Sequence, residues 1–197
     1  MQGLTAFILA GGKSTRMGAD KAFVELEGST LLVRSLELMQ AVCPDVRIVG
    51  DAAKFAAFGP VVEDVFRDRG PLAGIHAALR SSTTDLNLIL AVDLPFVPAE
   101  FLRYLVQRAG DSSTAAATVP RAAGSWQPLC AVYRCGFAKT AEDALRAGRN
   151  KIDAIFDLLE TQVIEEDELV RAGFTSDIFR NLNTPEELEA ALRESAR

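Results

Sequence analysis

The chain has 197 residues, 49% hydrophobic, 24% charged and 7% aromatic, and its 21 Lys and Arg stand against 27 Asp and Glu for a net charge of −6. That composition is globular and excludes a disordered polymer, and its acidic balance argues against a general nucleic-acid binder. At roughly 150 residues per domain the length predicts one domain over residues 1–197, large enough to bury a core without disulfide or metal staples.

Leu4 to Leu9 is a short apolar run ending at Gly11-Gly12, which predicts a buried strand entering a glycine turn. Ser29 or Thr30 can cap a helix through Leu31, Leu36 and Met39 toward Cys43-Pro44. Val46 to Val49 predicts a second strand, Ala52 to Phe58 a short helix closed by Gly59-Pro60, and Val61 to Glu63 a third strand. Gly70-Pro71 opens a helix through Leu72, Ile75 and Leu79. Leu86 to Val92 is almost wholly apolar, as suits a central parallel strand covered on both faces, and it stops at Asp93-Leu94-Pro95.

Further on, Pro98 to Ala109, Phe137 to Ala147 and Ile152 to Leu159 predict helices. Ala115 to Val119 and Leu129 to Tyr133 predict strands, and Arg121 to Ser125 predicts a flexible loop. Glu165 to Glu168 reads as a solvated helix start, where negative charge favours the macrodipole. Thr184, Pro185 and Glu187 form a capping-box start for a last helix. Strands alternating with helices predict an α/β fold: a Rossmann-like three-layer αβα sandwich with a mostly parallel sheet. Ligands of such sheets sit beyond the carboxyl ends of the strands, so the glycine turn and Asp93 are expected to face one crevice.

No apolar run reaches the ~18 residues of a membrane-spanning helix, and Met1 to Leu9 has neither the basic start nor the length of a signal peptide. The expected location is the cytoplasm, with neither membrane nor nucleic acid as partner. Cys43, Cys130 and Cys135 form no CxxC pair and His76 is the one histidine, so zinc-ligand spacing is absent.

The chemistry concentrates between Leu9 and Lys21. Lys13, Arg16 and Lys21 place three cations against one carboxylate in an otherwise acidic chain. Adjacent glycines, Gly11 and Gly12, let backbone amides approach an anion, and the cations can neutralise phosphates. Gly12-Lys13-Ser14 imitates the end of a P-loop, but that motif's first glycine would fall at Phe7, inside the strand. Gly70 and Gly74 flank a helix amino terminus, which suits either an anion or base-edge contact or close helix packing.

The run LAGG followed by RMGADK resembles the signature of the nucleoside-triphosphate transferase superfamily. Gly70-Pro71-Leu72-Ala73-Gly74-Ile75, Val92-Asp93-Leu94-Pro95, Gln127-Pro128-Leu129 and Asn181 to Glu187 make it similar to the molybdenum cofactor guanylyltransferases. These matches run in order from Leu9 to Glu187. The resemblance implies a single Rossmann-like domain that joins GMP from GTP to molybdopterin and releases pyrophosphate, with Mg²⁺ or Mn²⁺ as cofactor. It also implies contact with cofactor-synthesis proteins and apo-molybdoenzymes, whose surfaces the sequence does not identify.

The same resemblance distributes the roles. Asp93 would hold the metal, against a turn role before Pro95. Lys21 would meet the α-phosphate, against pairing with Asp20 or Glu25; Lys13 and Arg16 would meet the β- and γ-phosphates. Leu9, Ala10 and Gly11 would offer backbone groups to guanine and ribose. Asp64 would accept from the guanine N1–H and N2 amine, against a salt bridge with Arg67 or Arg69. The family's polar residue after the second strand falls at Gly50-Asp51, leaving Asp51 to take that role or the contact to be lost. Gln127, Asn181 and Asn183 would face molybdopterin. Trp126 is expected to shield a loop and His76 to be packed rather than catalytic. Two alternatives stay open: a cytidylyl- or other nucleotidyltransferase of the superfamily, and a non-catalytic nucleotide-binding module that delivers the cofactor.

Overall fold

The computed structural model describes residues 3–11, 20–182 and 184–195. Its main sheet is built from β1 (Leu4–Leu9), β4 (Val46–Val49), β5 (Val61–Val62), β6 (Leu86–Ala91), β7 (Ala117–Ala122), β9 (Cys130–Arg134) and β10 (Thr161–Ile164), with β8 (Ser125–Trp126) pairing β7. A separate two-stranded ribbon joins β2 (Glu25–Leu26) to β3 (Ser29–Thr30). The helices are α1 (Leu31–Gln40), α2 (Ala52–Phe55), α3 (Pro71–Ser81), α4 (Ala99–Asp111), α5 (Phe137–Arg146), α6 (Asp153–Phe156), α7 (Glu166–Arg171) and α8 (Pro185–Ser195).

The main path runs β10-β7-β9-β6-β1-β4-β5. β1 pairs in parallel with both β4 and β6, and β4 with β5, while β9 lies antiparallel between β6 and β7. Side chains alternate across the sheet, as the two-residue period of a strand requires. Ala6, Ile8, Leu88 and Leu90 pack with Leu32, Met39, Phe101 and Leu105 of α1 and α4. Phe7, Ile89 and Ala131 pack with Leu72, Ile75, Phe137 and Ala141 of α3 and α5 on the other face. The expected three-layer, mostly parallel α/β architecture is therefore present.

The chain leaves β1 toward β4 and β5 on one side, then returns to place β6 on the other. The strand order thus reverses between β1 and β6, and a crevice opens outside their carboxyl ends.

Local signals act as their chemistry dictates. Thr30 caps α1, its hydroxyl accepting from the Val33 N–H at 3.3 Å. Thr184 and Glu187 close a reciprocal capping box, each backbone N–H donating to the other's side chain at 3.2 Å. α7 begins after Glu165 with three acidic residues in its first turn. Several expectations need correcting. The Ala52 to Phe58 and Ile152 to Leu159 helices shrink to the single turns α2 and α6. The strand expected at Ala115 to Val119 is β7, two residues later at its start and three at its end. Arg121 to Ser125 is the β7–β8 hairpin, turning through Ala123 and Gly124 at φ 49° and 72°. Such a turn favours Asn-Gly or Asp-Gly, and Ala123 hides the signal.

Candidate active site

β1 ends under a tight backbone junction. The Ala10 and Gly11 N–H groups both donate to the Val49 carbonyl, at 3.0 and 3.1 Å. The Val92 N–H donates to the Leu9 carbonyl at 3.1 Å, so the strand ends that frame the crevice are tied together. Leu9, Ala10, Gly11, Lys21, Asp64, Gly70, Gly74 and Asp93, all expected at the nucleotide, line one cleft of about 770 Å³ open to solvent, together with Asp20 and Leu129. Gly12, Lys13, Arg16 and Asn183 lie outside the described residues.

Lys21 opens a short 3-10 turn, Lys21–Phe23, capped by Asp20, whose Oδ1 accepts from the Ala22 N–H at 3.2 Å. The turn aims the Lys21 ammonium at Asp93, and Nζ donates to Oδ2 at 2.9 Å. Pairing of Lys21 with Asp20 or Glu25 is the competing expectation; the structure joins its ammonium to Asp93. Asp93 sits in the turn after β6, and its backbone carbonyl accepts from the Leu182 N–H at 3.0 Å. The carboxyl-terminal segment is thereby anchored to the backbone of the site.

Asp64 follows β5 and points across the cleft toward α3. Its Oδ1 is buried with no hydrogen-bond partner, and burial pushes its carboxyl above the usual range. That oxygen lies 3.8 Å from where a Cβ on Gly74 would stand. The expected alternative, a salt bridge to Arg67 or Arg69, does not satisfy it. Gly74 does two jobs at once. A Cβ there would meet Leu9 and Val49 at 3.4 and 3.6 Å, so it packs the helix on the sheet while lining the cleft. Gly70 adopts φ 73°, a left-handed conformation suited to glycine, directly before Pro71 starts α3.

Three expected contributors are not in this cleft. The Asp51 carboxylate caps α2, accepting from the Ala53 N–H at 2.9 Å, and borders an adjoining depression instead. A side chain at 50 cannot replace it: a Cβ on Gly50 would stand 2.7 Å from the buried Phe55 ring. Gln127 lies in the segment that brings Leu129 to the wall, but its own amide reaches only the Ser125 carbonyl, at 3.5 Å. Asn181 is exposed beside the anchoring Leu182. Trp126 packs on Phe156, ring centroids 4.8 Å apart, as expected of a shielding residue.

His76 is buried on the far side of α3, and neither ring nitrogen makes a hydrogen bond. Cys43 and Cys130 are buried, whereas Cys135 is exposed. Sequence reasoning missed Asp20 and Lys54. Lys54 of α2 donates to Asp20 Oδ2 at 2.7 Å. An Asp directly before a short turn is a cap signal that points to Asp20; nothing local points to Lys54. No described helix is long and apolar enough to cross a membrane.

A family model described as the MobA-like NTP transferase domain matches residues 6–163. A molybdenum cofactor guanylyltransferase from Syntrophotalea carbinolica is 35% identical over 188 residues, covering 94% of this chain and 89% of its own. A probable molybdenum cofactor guanylyltransferase from Carboxydothermus hydrogenoformans is 32% identical over 194 residues, covering 98% and 97%. The crystal structure of molybdopterin-guanine dinucleotide biosynthesis protein A from Archaeoglobus fulgidus superposes with a TM-score of 0.85 at 29% identity, covering 98% of both chains.

Proposed function

Since the chain belongs to the MobA-like NTP transferase family, as a nucleotidyltransferase of the molybdenum cofactor guanylyltransferase group, we propose that it transfers GMP from GTP to molybdopterin. The observation that carries this reading is the meeting of Lys21 and Asp93, 72 residues apart in sequence, at the mouth of the strand switch point beside the unpartnered Asp64 oxygen.

In this reading a terminal phosphate oxygen of molybdopterin attacks the α-phosphorus of GTP. The new P–O bond forms as the bond to the α–β bridging oxygen breaks, and that oxygen leaves with pyrophosphate. The nucleophile is already ionised, so no general base is needed, and the burial of His76 away from the cleft agrees with this. Catalysis is then positioning and charge stabilisation. Lys21 offsets charge on the α-phosphate oxygens. The Ala10 and Gly11 backbone and Gly70 at the start of α3 cradle base and sugar. Asp64 accepts from the N1–H and N2 amine of guanine, donors that cytosine and adenine do not present together. Its buried, unpartnered oxygen supports a donor-rich base over cytosine. Lys13 and Arg16 remain assigned to the β- and γ-phosphates, and Gln127, Asn181 and Asn183 to the pterin side, on the family resemblance.

Among the described residues no three metal-ligating side chains cluster. Asp93 faces the cleft with its carboxylate partly exposed, whereas both Asp20 oxygens are engaged by the Ala22 N–H and Lys54. That donor set fits Mg²⁺ or Mn²⁺ held jointly by one carboxylate and substrate phosphates, not by a protein cage. Held at Asp93, the ion would supply positive charge to offset that of the phosphates.

Pyrophosphate release is the test, assayed with each of the four nucleoside triphosphates, with and without molybdopterin. Release with GTP that requires molybdopterin is the expected result. Preference for CTP would remove the base assignment, and release from none of the four would remove the reaction.

A further inference from the structure

The cleft wall is acidic. Asp20, Asp64 and Asp93 line it, and Lys21 is the one cation lining it among the described residues. Lys21 is engaged with Asp93, and Asp64 stands across the cleft against Gly74 of α3. Asp20 remains as a carboxylate next to the lysine on which an anionic ligand depends.

The structure shows how that charge is managed. Asp20 Oδ1 is committed to the turn that carries Lys21. Its Oδ2 accepts from Lys54 Nζ at 2.7 Å, and Lys54 comes from α2, 34 residues along the chain, in the wall of the adjoining depression. The Asp20 carboxylate holds the Lys54 ammonium above its usual range, so Lys54 is charged throughout the neutral region. We propose that Lys54 is a positioning residue for the nucleoside triphosphate: it neutralises Asp20 and fixes it as the cap of the Lys21 turn, so that the phosphates meet the lysine and not an uncompensated carboxylate. The inference rests on the reading of the cleft as a nucleotide site.

Without Lys54, Asp20 would repel the phosphates and compete for the Lys21 ammonium. The pair is half exposed on the Lys54 side, so its loss costs the fold little. Its value lies in the charge it hides.

The experiment is calorimetric titration of GTP with Mg²⁺ into wild type, K54M, K54R, D20N and D20N/K54M, alongside initial rates of pyrophosphate release. K54M is expected to weaken GTP binding about fivefold, with the loss falling on KM rather than kcat, and K54R to restore it. In the D20N background, where an amide still caps the turn, K54M is expected to cost nothing further. Equal losses in both backgrounds would mean that Lys54 touches the nucleotide directly and would overturn the proposal. Unaltered binding by K54M in the wild-type background would overturn it too. Absence of binding of any of the four nucleoside triphosphates to the wild type itself would instead sink the nucleotide reading, and this proposal with it.

Discussion

Lys21 Nζ lies 2.9 Å from Asp93 Oδ2, so the ammonium occupies an oxygen that a divalent ion bound at Asp93 would need. A triphosphate entering the cleft offers Lys21 a stronger anionic partner and frees that oxygen. Metal and nucleotide should therefore bind with positive coupling. Electron paramagnetic resonance of Mn²⁺ is expected to show weak binding to the protein alone and tighter binding with GTP present. Lys21→Met should bind Mn²⁺ alone about fivefold more tightly than wild type. Asp93→Ala should lose the GTP-dependent binding and cost turnover about 10²–10³-fold. It should melt close to wild type, because the backbone of Asp93, not its carboxylate, holds Leu182. Equal Mn²⁺ affinity with and without GTP would refute the coupling.

Asp64 carries an opposite balance of folding and binding. Its buried oxygen lacks a partner, and an unmade hydrogen bond of this kind costs about 1–3 kcal/mol. Its folded pKa is raised by burial, so its contribution to stability is present at low pH, where it is protonated, and is lost as pH rises through the raised value. Asp64→Asn should therefore melt about 2–4 °C higher than wild type at neutral pH while binding GTP more weakly. Wild-type GTP binding should in turn fall as pH drops through that raised value, above the ordinary carboxylate range. A variant that both melts lower and binds GTP normally would contradict the assignment.

The readable parts of this protein are the ones whose cause lies within a few residues. Leu86 to Ala91 announces a central strand by being almost wholly apolar, Asn87 apart, and Asp93 follows within two residues. Thr184 and Glu187 announce α8 by the spacing of a reciprocal cap. β10 was missed because Thr161–Ile164 is short and half buried, and it exists by pairing with the edge of β7. The ribbon of Glu25–Leu26 and Ser29–Thr30 is too short to show a period. At the site, the cleft-lining glycines and Asp93 were legible because strand ends in such folds face one crevice. The contacts Lys21–Asp93 and Lys54–Asp20 were not, because they span 72 and 34 residues and are set by the strand order. Asp51 shows a related ambiguity: a carboxylate after a strand serves a ligand or a helix start, and here it caps α2, which begins three residues before the buried Phe55.

His76 gives the fold an acid weakness. Burial pushes its pKa below the usual value, partly opposed by Glu142, whose Oε2 stands 3.7 Å from Nε2, beyond hydrogen-bond range. Arg80 on its own helix and Arg146, paired with Glu142, also disfavour the imidazolium, and the Phe66 ring meets it edge-on. A lowered folded pKa contributes stability above the unfolded value of about 6.5 that is lost as pH falls toward the folded one. Urea unfolding should find His76→Leu at least as stable as wild type at pH 7. Its advantage should grow as pH falls below about 6.5. A difference that stays constant over that window would show that His76 does not titrate this way.

Gly50 and Phe55 are fitted to one another at the edge of the site. A Cβ on Gly50 would stand 2.7 and 2.9 Å from two carbons of the Phe55 ring and 3.3 Å from the Gly11 nitrogen. The ring cannot retreat easily, since it is buried and packed on Phe23 with centroids 5.8 Å apart. Overpacking of this kind typically costs about 1–3 kcal/mol. Gly50→Ala is therefore expected to lower the unfolding free energy by that amount and, by pressing on the Gly11 backbone, to weaken GTP binding. Phe55→Leu, which removes the ring, should cost stability alone. Yet in the Phe55→Leu background Gly50→Ala should cost much less than in the wild type. Denaturant titration of the four proteins measures that coupling directly, and strictly additive losses would show that the ring is not what keeps position 50 bare.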